Sequence, residues 1–272
     1  MKRLGVLVAL LCAAVAAQAD SGNDGGHVQV TTDRILNQTA IPVYGYKVVA
    51  TYPHDTTAYT EGLVMVGNTI YEGTGLYGHS LVRQWELKTG KVLHETKLPD
   101  IYFGEGVTVL DKTVFELTYL ENTGFTYDAT LRRTGSYRYV NQGWGLTHDD
   151  RHLFMSDGSS AIQILDPKTH ALVRRIFVTD DLGPVGFLNE LEHAHGRLYA
   201  NVWQTDFIAV IDPDTGKIRG WINLTGLNPD PQRLVYPLVL NGIAVNTETG
   251  RLLVTGKCWP HVWEIELVPP AK

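Results

Sequence analysis

Apolar and polar positions alternate with a period of two through most of this chain. The clearest runs are TIYEGTG from Thr69, TVFELTY from Thr113, HLFMSDG from His152, RLYANVW from Arg197 and RLLVTGK from Arg251. A second alternating run follows most of them: SLVRQWEL from Ser80, AIQILDP from Ala161, FIAVIDP from Phe207 and HVWEIEL from His261. The runs are β-branched and aromatic, and they end in turn signals such as Lys88-Thr89-Gly90 and Asp212-Pro213-Asp214-Thr215-Gly216. This pattern predicts short half-buried strands joined by tight turns. No long run shows the i, i+3, i+4, i+7 spacing of an amphipathic helix.

The strands belong to a repeat. Each unit opens with an acid, amide or Trp, then usually a glycine, then an aliphatic residue. The copies are Glu61-Gly62-Leu63, Glu105-Gly106-Val107, Trp144-Gly145-Leu146, Asn189-Glu190-Leu191 and Asn241-Gly242-Ile243, spaced by 44, 39, 45 and 52 residues. Units of this length built from short strands predict an all-β, five-bladed β-propeller. A parallel β-helix is the alternative, but its rungs are much shorter. The fifth unit stops one strand short, and the run Val43–Tyr52 has no other home. That run is expected to supply the missing outer strand and close the ring, which removes an exposed sheet edge. The Pro-containing stretch Leu224–Leu240 is expected to be an irregular insertion.

The chain ends add a targeting segment. Lys2-Arg3, the apolar run Leu4–Ala17 and Ala17-Gln18-Ala19 form a signal peptide over residues 1–19, with a mature start at Asp20 and a secreted or periplasmic destination. Residues 20–40 read as a flexible polar arm and residues 41–272 as one propeller domain. The mature chain keeps only Cys258, so no internal disulfide is available. The formal net charge of −6, with no Lys/Arg run longer than a pair, excludes a nucleic-acid footprint. No later apolar run is long enough to span a bilayer.

The repeat also predicts where chemistry sits. The first strand of a propeller blade lines the central channel and starts at one mouth. Glu61, Glu105, Trp144, Asn189 and Asn241 are therefore expected around one axis. The plainer reading is that the glycines make turns and the acids cap them, but inner strands otherwise favour apolar residues. Tyr119, Trp203 and Lys257 lie 14, 14 and 16 residues past their first-strand elements and are expected at the same mouth. A lysine and aromatics beside carboxylates suit a small polar ligand with an aliphatic stem. Each Trp taken singly is equally explained by packing between blades. HExxH, CxxC, G-x-S-x-G and Gly-rich phosphate motifs are absent, and His193-x-His195 reads as a hairpin feature. No metal and no cofactor are expected.

The segments YPHDTTAYTEGL, YEGTGLYGHS, FGEGVTVL, ELTY, GWGLT, LNELE, YANVW, IDPDTGK, NGIA and TGKCWP, in this order from about Tyr52 to about Leu267, resemble the plant and bacterial type of glutaminyl-peptide cyclotransferase. The resemblance implies a five-bladed propeller that cyclises the N-terminal glutamine of peptides or proteins to pyroglutamate and releases ammonia. The protein is expected to be a monomer. It implies Glu105 as acid/base, with Asn189 and Lys257 around the reacting amide and Lys257 as oxyanion donor. It implies Trp144 and Trp203 as pocket walls, with Glu61, Tyr119, Glu190 and Asn241 among the substrate-binding residues. Two positions depart from the plant pattern: Glu61, where Gln is usual, and Tyr119, where Trp is usual. Lectins, scaffolds and glycosidases also use five-bladed propellers. A glycosidase would call for further inner-strand acids, where this chain offers Trp144 and Asn241.

Overall fold

In a computed structural model, which describes residues 30–228 and 237–270, twenty strands fall into five antiparallel units of four. The first unit is β2 (Thr60–Val66), β3 (Thr69–Thr74), β4 (Leu81–Glu86) and β5 (Val92–Lys97), counting the N-terminal strand (Val43–Pro53) as β1. The second is β6 (Gly104–Leu110), β7 (Thr113–Thr118), β8 (Thr123–Tyr127) and β9 (Arg133–Arg138). The third is β10 (Leu146–His148), β11 (Leu153–Ser156), β12 (Ala161–Leu165) and β13 (Leu172–Phe177). The fourth is β14 (Leu188–Ala194), β15 (Arg197–Val202), β16 (Phe207–Ile211) and β17 (Ile218–Asn223). The last contains β18 (Leu240–Val245), β19 (Leu252–Gly256) and β20 (His261–Val268). β1 pairs antiparallel with β20, from Gly45 opposite Val268 to Pro53 opposite His261, and is the fourth strand of this unit. Its first residues also pair with β17, joining the last two units.

The inner strands β2, β6, β10, β14 and β18 are neighbours in ring order, and β18 returns against β2. The repeat glycines make this approach possible. A Cβ on Gly62 would lie 2.3 Å from the Val107 nitrogen, and one on Gly106 2.5 Å from the Leu146 nitrogen. On Gly145 it would lie 2.2 Å from the Asn189 carbonyl. A side chain at any of the three would force the inner strands apart. Apolar faces fill the space between blades. The largest cluster joins Phe154, Ile164, Leu191, Leu198, Phe207 and Trp221, and each large aliphatic buried there stabilises by roughly 1.5–3 kcal/mol.

Residues 30–40 depart from the flexible arm expected over 20–40. Val30 and Ile35 are buried in that same cluster, beside a short helical turn at Arg34–Gln38. Arg34 Nε donates to Asp180 at 2.9 Å, and the Ala40 N–H donates to Asp181 at 2.7 Å. Two buried side chains in a polar run are too sparse to register as a pattern. The expected signal peptide, residues 20–29 and the centre of the Leu224–Leu240 stretch lie outside the described residues. No helix among the described residues is long and apolar enough to cross a membrane.

Glu72 and Glu116 occupy the same position of β3 and β7, where the other units carry Met155, Ala200 and Val254. Both are fully buried, yet their charge states diverge. Burial alone would raise Glu72, but Arg83, His54 and Thr60 outweigh it and hold the carboxyl far below its ordinary range. Among the described residues Glu116 has only the Tyr127 hydroxyl, at 2.5 Å, and burial pushes it up to about 8. A carboxyl raised on folding stabilises fully below its unfolded value of 4.5 and loses that contribution as pH rises through about 8. Glu116→Gln should therefore gain stability over the parent as pH climbs through this window, by at most about 1.4 kcal/mol per pH unit. Melting temperatures of both proteins from about pH 5 to about pH 9 test this, and a pH-independent gap would contradict it.

Candidate active site

Four units build the same local device. β2, β6, β14 and β18 each break register with their partner strand at the repeat element, between Thr60/Gly62, Gly104/Val107, Leu188/Leu191 and Leu240/Ile243. Such irregularities re-aim side chains at strand ends. They carry Glu61, Glu105, Asn189 and Asn241. Across each break the N–H just past the second strand bonds to the residue leading into the first: Gly75 to Tyr59 at 2.8 Å, Tyr119 to Phe103 at 2.9 Å, Trp203 to Phe187 at 2.8 Å and Lys257 to Val239 at 2.9 Å. Tyr119, Trp203 and Lys257 thus share one structural position, one residue beyond β7, β15 and β19.

The charged centre comes from three units. Lys257 Nζ donates to Glu61 Oε1 at 2.6 Å, both side chains being buried. Asn241 Nδ2 donates to Glu61 Oε2 at 3.2 Å and to the Thr60 carbonyl at 3.0 Å. Lys257 Nζ also lies 4.5 Å over the Tyr59 ring. Burial raises Glu61 to about 6 against the lowering effect of Lys257. Glu105 is pushed well above the ordinary carboxylate range, first by burial, then by the charges of Glu61 and Glu121, with Lys257 opposing. No hydrogen bond reaches the Glu105 carboxyl among the described residues.

An arc of aromatic rings borders this centre. Phe103 packs edge-on against Tyr59 and Tyr77, and tilted against Tyr119 at 5.8 Å. Tyr119 reaches Trp144 at 6.5 Å, Trp144 meets Trp203 edge-on at 5.6 Å, and Trp203 stacks on Phe187 at 5.9 Å. Trp144 is seated on Gly158, where a Cβ would lie 2.7 Å from the indole. Its Nε1 donates to Gln142 at 2.9 Å. Asn189 is buried, and its Oδ1 has no hydrogen-bond partner among the described residues.

The structure gathers Glu61, Glu105, Asn241 and Lys257, and lines Tyr119, Trp144 and Trp203 beside them. Glu190 stands apart from its expected substrate-binding place. Its two oxygens accept the Leu63 N–H at 3.2 Å and the Ile243 N–H at 2.7 Å, so this carboxyl ties three inner strands together inside the ring. Sequence reading missed Tyr59, Phe103, Tyr77, Glu121 and Phe187. Their signal was position alone: each flanks a repeat element or a second-strand end. Among the described residues no group of three or more His, Cys, Asp or Glu side chains could hold a metal ion.

Two carboxyls share one buried lysine under an aromatic rim, on a propeller whose inner strands are set by Gly62, Gly106 and Gly145. A family model for glutamine cyclotransferases matches residues 9–267. The chain belongs to the glutamine cyclotransferase family. A glutaminyl-peptide cyclotransferase of Arabidopsis thaliana is 44% identical over 228 residues, 81% of this chain and 71% of the relative. The crystal structure of a Myxococcus xanthus glutaminyl cyclase superposes with a TM-score of 0.78 at 33% identity, covering 85% of this chain and 100% of that one.

Proposed function

We propose that this cyclotransferase converts the N-terminal glutamine of peptides and proteins to pyroglutamate and releases ammonia, with Glu105 as the proton shuttle. The observation that carries the reading is Glu105 itself: buried, raised, without a hydrogen bond to its carboxyl among the described residues, and flanked by Glu61, Lys257 and the aromatic arc. The α-amine attacks the side-chain amide carbon, and a five-membered lactam closes through a tetrahedral oxyanion. Glu105 takes a proton from the attacking amine and returns it to the amide nitrogen, which leaves as ammonia. A carboxyl raised toward the working pH performs both transfers better than one fixed near its ordinary value. An incoming N-terminal ammonium favours the ionised form of Glu105, which readies the base as substrate binds.

Lys257 spends one of its three N–H donors on Glu61, and no other hydrogen bond from Nζ is made among the described residues, which leaves donor capacity for the oxyanion. Glu61 holds Lys257 in place, and Asn241 in turn holds Glu61. The buried Asn189 amide, with an unpaired Oδ1, suits the N–H groups of the substrate's amide end. The aromatic arc folds the aliphatic stem of glutamine back on its own amine, the geometry that the ring closure needs. Incubation with a Gln-initiated dipeptide should release one ammonia per lactam formed. An inert, folded protein would refute the reading.

Trp203 supplies a wall through its contacts with Trp144 and Phe187. Trp203→Ala should raise KM, lower kcat, or both, and should cost roughly 3–5 kcal/mol of stability. Kinetics and melting temperature measured together test its placement, which unchanged values would contradict. The same reading takes the enzyme out of the cytoplasm as a monomer: the exported chain should begin at Asp20, which N-terminal sequencing would verify or reject.

A further inference from the structure

We propose that Glu72 and His54 form a buried positioning hub that fixes the Lys257–Glu61 pair, so that two residues outside the pocket set its catalytic geometry. The proposal rests on the reading of Lys257 and Glu61 given above. Glu72 is 0% exposed and accepts from four side chains. Oε1 receives Thr60 Oγ1 at 2.7 Å and faces His54 Nε2 at 3.0 Å. Oε2 receives Trp85 Nε1 at 3.0 Å and the Arg83 guanidinium at 2.8 Å. Arg83 also reaches Asp55 at 2.8 Å.

Two of these contacts lead into the site. Thr60 directly precedes Glu61, and its carbonyl accepts Asn241 Nδ2, the donor that also holds Glu61. On the other side, His54 Nδ1 faces the Trp259 carbonyl at 2.7 Å, and the His54 N–H bonds the Pro260 carbonyl at 3.0 Å. Trp259 lies two residues past Lys257, and the Cys258 N–H between them bonds the Ala58 carbonyl at 2.7 Å. The contacts close on themselves: Glu72, Thr60, Asn241, Glu61, Lys257, the 257–259 turn, His54 and Glu72 again. The ring of His54 thus spans Glu72 and the Trp259 carbonyl, one nitrogen facing each.

Stability alone does not account for this arrangement. A buried ion pair adds little over apolar packing of the same volume, and the third, fourth and fifth units place Met155, Ala200 and Val254 at this position. Glu116, the equivalent acid of the second unit, has a single side-chain partner among the described residues, Tyr127. The feature special to Glu72 is that its partners hold both halves of the Lys257–Glu61 pair. A shift of about 1 Å in a reacting constellation can cost about 10²-fold in rate.

Two variants test the hub without removing its buried carboxylate. Thr60→Val keeps the shape and deletes the link toward Glu61. His54→Leu deletes the link toward Lys257. Each should lower kcat by about 10-fold to about 10²-fold, with a smaller change in KM. Each should also move the acidic limb of kcat/KM to higher pH, because the Lys257 charge that lowers Glu61 and Glu105 is less well seated. Tyr52→Phe, on the outer strand β1, loses a 2.8 Å bond to Glu264 of β20; it serves as the control for stability and should leave the limb in place. Folded Thr60→Val and His54→Leu enzymes with parental kcat, KM and acidic limb, beside an inactive Lys257→Met, would overturn the hub alone. A fully active Lys257→Met would take the site reading down with it. A Tyr52→Phe limb displaced as far as the others would reduce the hub to general stabilisation and overturn it too.

Discussion

Glu105→Gln should lower kcat by about 10²–10⁴-fold while the protein stays folded. Glutamine matches glutamate in size and cannot take a proton. Nothing among the described residues hydrogen-bonds the Glu105 carboxyl, so the amide forfeits no partner. The stability sign is also set. Glu105 lies well above 4.5 in the folded protein, so its contribution is complete below that value and is lost as pH rises through the folded value. Above neutrality the variant should be at least as stable as the parent. The parent's activity should carry an acidic limb displaced above the ordinary carboxylate range, because Glu105 must ionise to act as base. Glu61, near 6, and Lys257 shape that limb, and the coupled centre titrates as a unit. Steady-state kinetics against pH and a thermal melt are the measurements. A folded Glu105→Gln enzyme with parental kcat would remove Glu105 from the chemistry.

Much of this site was legible in the sequence because it is written in a repeat. Glu61, Glu105, Asn189 and Asn241 could be aligned without knowing any contact, since a propeller returns each first strand to the same axis. Tyr119, Trp203 and Lys257 followed from their offsets, and the shared backbone bond past β7, β15 and β19 is the physical cause of that regularity. Pairings across the ring were not legible. Lys257 and Glu61 are 196 residues apart, and no local pattern distinguishes a lysine aimed at a carboxylate from one aimed at solvent. Glu190 was misplaced for a related reason. It adjoins Asn189 in one motif, yet its side chain ends on the backbone N–H groups of Leu63 and Ile243. Phe103 and Tyr59 went unnoticed because they precede the strands, where alternation has no hold. Their carbonyls, bonded to Tyr119 and Gly75, make them part of the repeated device.

Lys257→Met should damage activity and stability together. It removes the donor proposed for the oxyanion, a loss of about 10²–10³-fold in kcat. It also strands Glu61 and Glu105 as buried acids without a cation, and removing one member of a buried pair costs roughly 3–5 kcal/mol. That cost should depend on pH. Lys257 lowers Glu61 toward about 6, so without it the folded value rises further above 4.5. A raised carboxyl stabilises fully below its unfolded value and loses that contribution as pH climbs, so the variant's deficit should be small near pH 4.5 and widen above it. Adding Glu61→Gln removes the stranded charge. The double variant should regain most of the lost stability at neutral pH and none of the lost rate. Melting temperatures of the parent, both single variants and the double variant isolate the pair's coupling, and kcat on the same four proteins isolates the chemistry. Recovery of rate along with stability would mean that Lys257 serves packing, and the oxyanion would need another donor.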